Sequence, residues 1–227
     1  LSALRDRQRR TLYFGVSRPD PGAYGILQRD GGAWLARGDR PLISADALRI
    51  TGTHNLANAL AALAMGEAVG LPLEPMLAVL RRFPGLPHRM QVVAERDGVR
   101  WIDDSKGTNV GAAAAAVAGL RGPGLVILIA GGRGKGADFA PLRPALEGRA
   151  RAVLLMGRDA PLIREALQEV APVEVVKDLD EAVARAAVLA RPGDAVLLSP
   201  ACASFDMFLN YEDRGDKFAA AVRRRFS

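Results

Sequence analysis

From residue 91 to its end, the chain alternates short apolar runs with longer segments in which apolar residues recur at helical spacing. This alternation of strand and helix predicts an α/β fold with a mainly parallel sheet that helices cover on both faces. The first two runs are separated only by Arg96-Asp97-Gly98, which predicts an antiparallel hairpin at the sheet edge. We predict strands at 91–95, 99–103, 125–130, 152–156, 173–176 and 194–199, and helices at 110–120, 139–147, 160–170, 179–190 and 206–225.

The first part of the chain has a different pattern. Residues 11–50 alternate apolar and polar positions, with the turn residues Asp30-Gly31-Gly32 between two strand-like runs. This pattern predicts a β-hairpin with short flanking strands. Apolar residues at a period of about 3.6 then predict helices at 55–69 and 73–83.

The segment Pro84-Gly85-Leu86-Pro87 separates the two parts. Because two prolines and a glycine this close together cannot continue a helix, we place a domain boundary here. The predicted domains are 1–86 and 87–227. Residues 1–10 have the composition of a helix that began earlier, and we expect the chain to be part of a longer protein.

The composition restricts the class of protein. Its 227 residues are 49% hydrophobic and 25% charged, as in a chain that folds around a core. No apolar stretch reaches the roughly 18 residues of a membrane span, and no signal peptide is visible. The single cysteine excludes an intrachain disulfide and fits a reducing cytoplasm. The net charge of +6 is spread along the chain and aromatic content is 5%, which favours anionic substrates over nucleic acid.

Three polar segments each follow an apolar run of the predicted sheet. They are 103–109 (DDSKGTN), 131–139 (GGRGKGADF) and 199–206 (SPACASFD). In an open parallel sheet the carboxyl ends of the strands face the ligand crevice. The three segments are therefore predicted to converge on one site.

The glycine-rich segment 131–137 has several interpretations. It lacks the G-x-x-x-x-G-K-[ST] pattern of a P-loop. Gly132, Gly134 and Ala137 satisfy the dinucleotide pattern G-x-G-x-x-A, and Asp159 is then the candidate acid for a ribose, as in a nucleotide-binding module of a dinucleotide-dependent protein. Alternatively, the glycines let Lys135 project toward an anion, or they form a purely structural turn. A non-catalytic scaffold is the remaining alternative.

Asp104, Lys106 and Thr108 alternate along what reads as the end of an extended segment. Their side chains are therefore expected on one side, where they suit a phosphate or carboxylate ligand and a magnesium-bound water. A capped helix start is the other interpretation, with Thr108 or Asn109 as the N-cap. The two interpretations are compatible.

The segment 199–206 contains two candidate nucleophiles, Cys202 and Ser204. Each would need a partnered base, and neither His54 nor His88 lies in a recognisable triad context. A buried structural cysteine is the favoured interpretation. Ser204, placed at a helix N-terminus, is suited to hold a carboxylate with its hydroxyl and the backbone N–H groups.

Two further polar clusters are candidates for nucleotide contacts. Asn55 and Asn58 are three residues apart and lie on one helical face, where their amides read a nucleobase edge or serve in ordinary capping. His88 and Arg89 lie at the predicted domain boundary, in reach of a phosphate.

Taken together, five segments resemble the Mur ligase family: GTHNLANALAA (52–62), LPHRM (86–90), DDSKGTN (103–109), GGRGKGADF (131–139) and LLSPACASFDMFLNYEDRG (197–215). The sequence departs from the family at one position, because residue 107 is glycine where alanine is more usual. We expect Gly107 to loosen the loop. The resemblance implies three domains, for a UDP-sugar, for ATP and for an amino acid. This chain would hold the end of the α/β central ATPase domain and the whole Rossmann-like C-terminal domain. The family's phosphate loop, magnesium carboxylates and modified lysine would lie upstream.

The resemblance also implies a reaction and its participants. A ligase of this kind would add D-glutamate to UDP-N-acetylmuramoyl-L-alanine through an acyl phosphate, with ATP and Mg²⁺, in the peptidoglycan synthesis of the cytoplasm. It would be a monomer without nucleic acid or membrane span. The chain alone would be inactive and would supply no metal ligand, since the phosphate loop and the magnesium ligands lie upstream.

The resemblance assigns roles to individual residues. Lys106, Asp104 and Arg89 would take part in catalysis, and Asn55, Asn58, Arg89 and Asp104 would bind ATP. The D-glutamate pocket would consist of Lys106, Thr108, Lys135, Ser204, Phe205 and Tyr211. The two lysines offer charge to carboxylates, the two hydroxyls offer hydrogen bonds, and the Phe205 N–H at a helix start adds a donor.

Overall fold

The computed structural model describes residues 11–50 and 52–227. The chain divides into two compact units, one ending at Pro84 and the other running from Gly85 to Ser227. The division falls within the segment rich in proline and glycine. The helical character predicted for residues 1–10 lies outside the described residues. None of the helices within the described ranges has the length and apolar character of a membrane-spanning helix.

The described residues of the first unit form a three-stranded antiparallel sheet with two α-helices. Strands β1 (Tyr24–Arg29), β2 (Gly32–Arg37) and β3 (Arg40–Ser44) follow in order, and the predicted hairpin joins β1 to β2. The hairpin turn is tight because Asp30 and Gly31 both take positive φ (53° and 76°), which the Asp-Gly pair tolerates. Helices α1 (Thr53–Ala68) and α2 (Leu73–Arg82) follow. Leucines at helical spacing in α1 pack into the core of this unit, as the period predicts: Leu56, Leu60 and Leu63.

The second unit contains a six-stranded sheet in the order β4-β5-β9-β6-β7-β8. Every neighbouring pair is parallel except the edge hairpin β4–β5, which confirms the predicted mainly parallel sheet. The last strand returns to the middle of the sheet, so the carboxyl ends of β5, β9 and β6 lie side by side. The strands are β4 (Gln91–Arg96), β5 (Val99–Asp103), β6 (Val126–Gly131), β7 (Ala150–Met156), β8 (Val173–Val175) and β9 (Ala195–Leu198).

Helices cover both faces of this sheet. One face packs on α3 (Val110–Gly119), α4 (Arg143–Leu146) and α5 (Ala160–Leu167), and the other on α6 (Leu179–Leu189) and α7 (Tyr211–Arg225). Alternate residues of the strands enter the two cores, so that in β6 Leu128 and Ala130 lie in the first and Ile127 and Ile129 in the second. A strand buried on both faces explains the continuous apolar runs in the sequence.

Two predicted helices differ most in extent from the observed ones, and the helix predicted at 160–170 ends earlier, at Leu167. The helix predicted at 206–225 begins only at Tyr211, because the Asn210 side chain accepts from the Asp213 N–H (2.7 Å) and caps it there. The helix predicted at 139–147 is a 3₁₀ turn over Ala140–Leu142 followed by the single turn of α4. Pro141 and Pro144 have no N–H to donate, so a regular helix cannot form across them.

Candidate active site at the carboxyl edge of the sheet

Three loops meet at the carboxyl edge of the second unit's sheet. We name them the β5 loop (104–109), the β6 loop (132–139) and the β9 loop (199–210). Backbone hydrogen bonds join them: Ala201 N–H donates to Gly107 O (2.9 Å), and Arg133 and Ala203 each donate to the other's carbonyl (2.9 and 3.0 Å). Gly131 N–H, at the end of β6, donates to Pro200 O (2.9 Å). The three polar segments of the sequence are therefore one connected structure.

Glycine is needed where the β6 loop meets the β9 loop. Gly132 has φ 126°, and a Cβ there would lie 2.3 Å from the Ala203 carbonyl oxygen. Any side chain would force the two loops apart. At this position, the contact between the two loops therefore explains the glycine.

The β6 loop does not have the geometry of a dinucleotide site. Asp159, the candidate ribose acid, instead accepts from the Gly134 N–H (2.7 Å), and its own N–H donates to the Gly132 carbonyl (3.0 Å). No α-helix starts in this loop, since α4 begins at Arg143, so the helix N-terminus that would hold a pyrophosphate is missing there. Lys135 is exposed, in a left-handed conformation with φ 56°.

Asp104 is a buried carboxyl at the start of the β5 loop, only 8% exposed. It accepts from the Ser199 hydroxyl (2.6 Å) and the Met90 N–H (3.3 Å). Burial raises the pKa of Asp104 to about 6, against the opposing effect of these two hydrogen bonds; the Asp103 charge adds to the rise and Arg89 reduces it. Asp104 therefore keeps its proton to a higher pH than an ordinary aspartate does.

The β5 loop is a turn, not the predicted extended segment. The Gly107 N–H donates to the Asp104 carbonyl (2.8 Å), so the backbone folds back on itself. The alternation argument, which assumed an extended backbone, therefore does not apply: Asp104 contacts Ser199, and Lys106 lies over Tyr211. Asn109 is the N-cap of α3, accepting from the Ala112 N–H (2.9 Å).

Gly107 lies directly against the Asp104–Ser199 pair. A Cβ at this position would lie 2.6 Å from Ser199 Oγ and 2.7 Å from Asp104 Oδ2. The neighbouring Thr108 is half-buried.

Tyr211 is where the β5 loop meets α7. The Lys106 ammonium lies 3.9 Å from the centre of its ring, a cation–π contact. His88 packs edge-on against the same ring at 6.1 Å between centres, and its Nδ1 lies 2.8 Å from Asp103 Oδ2. His88 therefore bonds through Nδ1 to a buried carboxyl, and its expected contact with a phosphate stays a prediction.

Ser204 and Phe205 do not lie at a helix N-terminus. The Ser204 carbonyl accepts from the Met207 and Phe208 N–H groups (3.1 and 2.9 Å), which makes a separate short turn that ends before α7 begins at Tyr211. The expectation that the Phe205 N–H adds a helix-start donor is therefore wrong. Ser204 is buried, whereas the Phe205 side chain is 66% exposed.

Cys202 is buried, as predicted for a structural cysteine. Burial raises the pKa of its thiol to about 12, so it stays protonated at neutral pH and is a poor nucleophile.

The remaining candidates lie in different units. Asn55 and Asn58 lie in the first two turns of α1 in the first unit, the former half-buried and the latter exposed. Arg89 is exposed in the second unit and lowers the pKa of Asp104 through its charge.

Sequence reasoning missed three residues that organise the site: Ser199, Asp206 and Arg214. Asp206 accepts from the Arg158 N–H (2.9 Å) and so ties the β9 loop to the loop after β7. Arg214 is fully buried and bonds to the β5 and β9 loops. A signal for Arg214 existed, because it shares a helical face with the apolar residues Phe218, Ala221 and Val222.

Comparison with known proteins identifies relatives of the whole chain. The sequence profile of the family described as Mur ligase, glutamate ligase domain, matches residues 88–202, a little over half of the chain. A UDP-N-acetylmuramoylalanine--D-glutamate ligase from Nitrosococcus oceani is 54% identical over 227 residues, which is 100% of this chain and 50% of that protein. The enzyme of the same name from Pseudomonas aeruginosa is 56% identical over 211 residues, 92% of this chain and 47% of that protein.

Solved structures agree in fold. UDP-N-acetylmuramate-alanine ligase MurC from Thermotoga maritima superposes with a TM-score of 0.67 at 19% identity, over 94% of this chain and 47% of that one. MurF ligase from the same organism, in complex with ADP, gives 0.64 at 20% identity, over 96% and 50%. The chain spans about half the length of the relatives that it matches. The profile match over residues 88–202, together with these relatives above 50% identity, shows that the chain belongs to the Mur ligase family.

Proposed function

We propose that this chain is the D-glutamate-binding part of an ATP-dependent ligase that adds D-glutamate to UDP-N-acetylmuramoyl-L-alanine in peptidoglycan synthesis. Two relatives above 50% identity carry the name of that enzyme. The single observation that carries the proposal is the hydrogen-bonded convergence of the β5, β6 and β9 loops, because these loops hold the cationic and hydroxyl side chains that a dicarboxylate needs.

The proposed reaction has two steps. ATP phosphorylates the carboxylate of UDP-N-acetylmuramoyl-L-alanine, and the amine of D-glutamate then attacks this acyl phosphate, forming the amide and releasing phosphate. The second step requires an amine held in line with the acyl carbon. Binding both carboxylates of D-glutamate would fix the amine in this way.

We assign the D-glutamate pocket to the second unit. Lys106 and Lys135 supply positive charge to the carboxylates, while Thr108 and Ser204 donate hydrogen bonds from their hydroxyls. Tyr211 supports Lys106 through the cation–π contact. Phe205, with its exposed ring beside Ser204, would cover the ligand.

We assign ATP contacts in each unit separately. Asn55 and Asn58 on α1 would read the adenine edge. Arg89 would meet the phosphates, and the buried carboxyl of Asp104 would accept from a ribose hydroxyl. Together with Lys106, Arg89 and Asp104 are the residues that we propose for catalysis in this chain.

The described part of the chain contains no complete set of ligands for Mg²⁺. No group of three or more His, Cys, Asp or Glu side chains there could hold a metal ion. We therefore expect the Mg²⁺ ligands in the part of the relatives that this chain does not match.

The 227 residues alone should not hydrolyse ATP, because they contain no G-x-x-x-x-G-K-[ST] loop. Phosphate release by a sample of verified mass would contradict this. We further propose a cytoplasmic monomer, in keeping with a single buried cysteine.

Titration of the ¹⁵N-labelled chain with D-glutamate, followed by amide NMR shifts, tests the pocket. We expect shifts in the β5, β6 and β9 loops and weaker ones with L-glutamate, the matched control. No shift in these loops up to about 50 mM D-glutamate, a binding energy weaker than about −2 kcal/mol, would contradict the proposal. Titration with NAD tests the alternative, since a dinucleotide module would shift residues 132–137 instead.

A further inference from the structure

Arg214 connects three elements of the site. It lies in the first turn of α7 and is 0% exposed. Its Nη2 donates to the Ser105 carbonyl (2.9 Å), and both Nη1 and Nη2 donate to the Cys202 carbonyl (3.2 Å each). One carbonyl belongs to the β5 loop and the other to the β9 loop, so a single side chain holds both loops to α7.

This arrangement is a costly way to stabilise a fold. Among the described residues no carboxylate lies within 4.0 Å of the guanidinium, and Arg214 Nε has no hydrogen-bond partner. Burial lowers the pKa of Arg214 to about 10, although the nearby charges of Asp206 and Asp103 act in the opposite direction. Burying a charge that has no partner of opposite charge costs free energy, because the charge loses its hydration. A contribution of the arginine to the placement of the loops would offset this cost.

The next residue fixes how closely α7 approaches. A Cβ on Gly215 would lie 2.3 Å from His88 Nδ1, 2.4 Å from Asp103 Oδ2 and 2.5 Å from Ser105 Oγ. The backbone of α7 therefore rests directly on the end of β5. This contact sets the distance from which Arg214 reaches the two carbonyls.

The bonded carbonyls are next to the proposed ligand residues. Lys106 follows Ser105, Ser204 is two residues after Cys202, and Tyr211 lies one helical turn before Arg214. We infer that Arg214 is a positioning residue, which holds the β5 and β9 loops at the separation that binding of D-glutamate requires. The inference rests on the proposed function.

The test compares two arginine-to-lysine variants of the 227-residue chain. Arg214→Lys shortens the side chain and removes the fork that spans both carbonyls. Arg151→Lys is the matched control: Arg151 forms a hydrogen-bonded ion pair with the buried Asp194, far from the loops at the opposite edge of the same sheet. Thermal unfolding of both variants reports any general loss of stability.

A first measurement needs no ligand. Cys202 is the only cysteine in the chain and is buried, so its reaction rate with dithionitrobenzoate reports opening of the β9 loop. We expect Arg214→Lys to raise this rate by about tenfold or more, as for the loss of a charge-assisted hydrogen bond, and Arg151→Lys to leave it within about twofold. Equal rates in the two variants would overturn the inference.

A second measurement is the D-glutamate affinity of wild type, Arg214→Lys and Arg151→Lys, determined by NMR titration. We expect Arg214→Lys to weaken it by about tenfold or more and Arg151→Lys to leave it within about twofold. If wild type binds and Arg214→Lys binds equally well, the inference is wrong while the proposed function stands. If wild type does not bind, the proposed function fails, and the thiol rates still decide whether Arg214 couples the loops.

Wild-type hydrogen exchange covers the case in which Arg214→Lys does not fold. The Gly107 and Ala201 N–H groups, whose hydrogen bonds lie in and between the two loops, should then exchange with the same opening free energy as the first turns of α7. Exchange of these loop amides that is more than about tenfold faster than that of α7 would overturn the inference.

Discussion

The Ser199 hydroxyl donates a 2.6 Å hydrogen bond to Asp104 Oδ2 and so joins the ends of β9 and β5 across 95 residues of sequence. Both side chains are buried. The bond gives the carboxylate a partner but does not offset its burial, since the pKa of Asp104 remains raised to about 6. The fold therefore keeps a carboxyl whose charged form is unfavourable.

This relationship predicts how stability depends on pH. The pKa of Asp104 in the folded state, about 6, lies above its unfolded value of 3.8. Burial of the ionised carboxyl therefore costs no unfolding free energy below about pH 4, an increasing amount from pH 4 to 6, and the full amount above about pH 6. A shift of this size corresponds to about 3 kcal/mol. Asp104→Asn removes the titration, because an amide can donate to Ser199 Oγ and accept from Met90. We expect its unfolding free energy, relative to wild type, to rise by about 2–3 kcal/mol between pH 4 and 7.

Urea unfolding at several pH values measures this difference. Asp194→Asn is the matched control with the opposite sign. Burial alone would raise the pKa of Asp194, but hydrogen bonds from Arg151 and from the Arg191 and Leu125 N–H groups lower it on balance. Asp194→Asn should therefore be destabilised most, relative to wild type, at neutral pH and less at low pH. A stability difference for Asp104→Asn that stays constant with pH would contradict the prediction.

The sequence predicts the elements of this fold better than their arrangement. Apolar period and turn residues are local, and they locate the strands, the edge hairpin and the Asn109 cap. The position of β9 between β5 and β6 is not local, because it depends on which buried strands pair. The extended interpretation of the β5 loop failed for the same reason: its turn packs against Ser199, which is distant in the chain.

The site was predictable in its location but not in its internal contacts. Polar segments after apolar runs indicated the carboxyl edge, as the topology of parallel sheets requires. Ser204 was expected at the N-terminus of the last helix, but Asn210 caps α7, which begins only at Tyr211. Arg214 was missed, although its helical position beside Phe218 indicates burial.

The second unit should fold by itself. Residues 85–227 contain both cores of the six-stranded sheet, and about 140 residues suffice to bury a core of their own. We expect one cooperative thermal transition for this segment, with a far-UV circular dichroism spectrum of a mixed α/β protein. A gradual, non-cooperative loss of signal would place the boundary elsewhere.

In a complete ligase that carries this chain, Asn58→Ala should mainly impair the use of ATP. Asn58 is exposed on α1, so its loss leaves the core of the first unit intact. Removing one or two hydrogen bonds to adenine should raise the KM for ATP about threefold to tenfold. The KM for D-glutamate should stay unchanged when the other substrates are saturating. A change in both constants together would count against a dedicated nucleotide contact.

Lys135→Ala and Thr108→Val should give the reverse pattern in the same enzyme. Lys135 is exposed on the β6 loop and Thr108 is half-buried on the β5 loop, so both can face a dicarboxylate without supporting the core. Loss of a charge-assisted hydrogen bond costs about 1.5–3 kcal/mol, which is roughly tenfold to a hundredfold in apparent affinity for D-glutamate. The KM for ATP should stay within about twofold, with Asn58→Ala as the comparison. Steady-state rates with one substrate varied at a time measure both constants. If Lys135→Ala left the D-glutamate dependence unchanged, the β6 loop would have to be removed from the pocket.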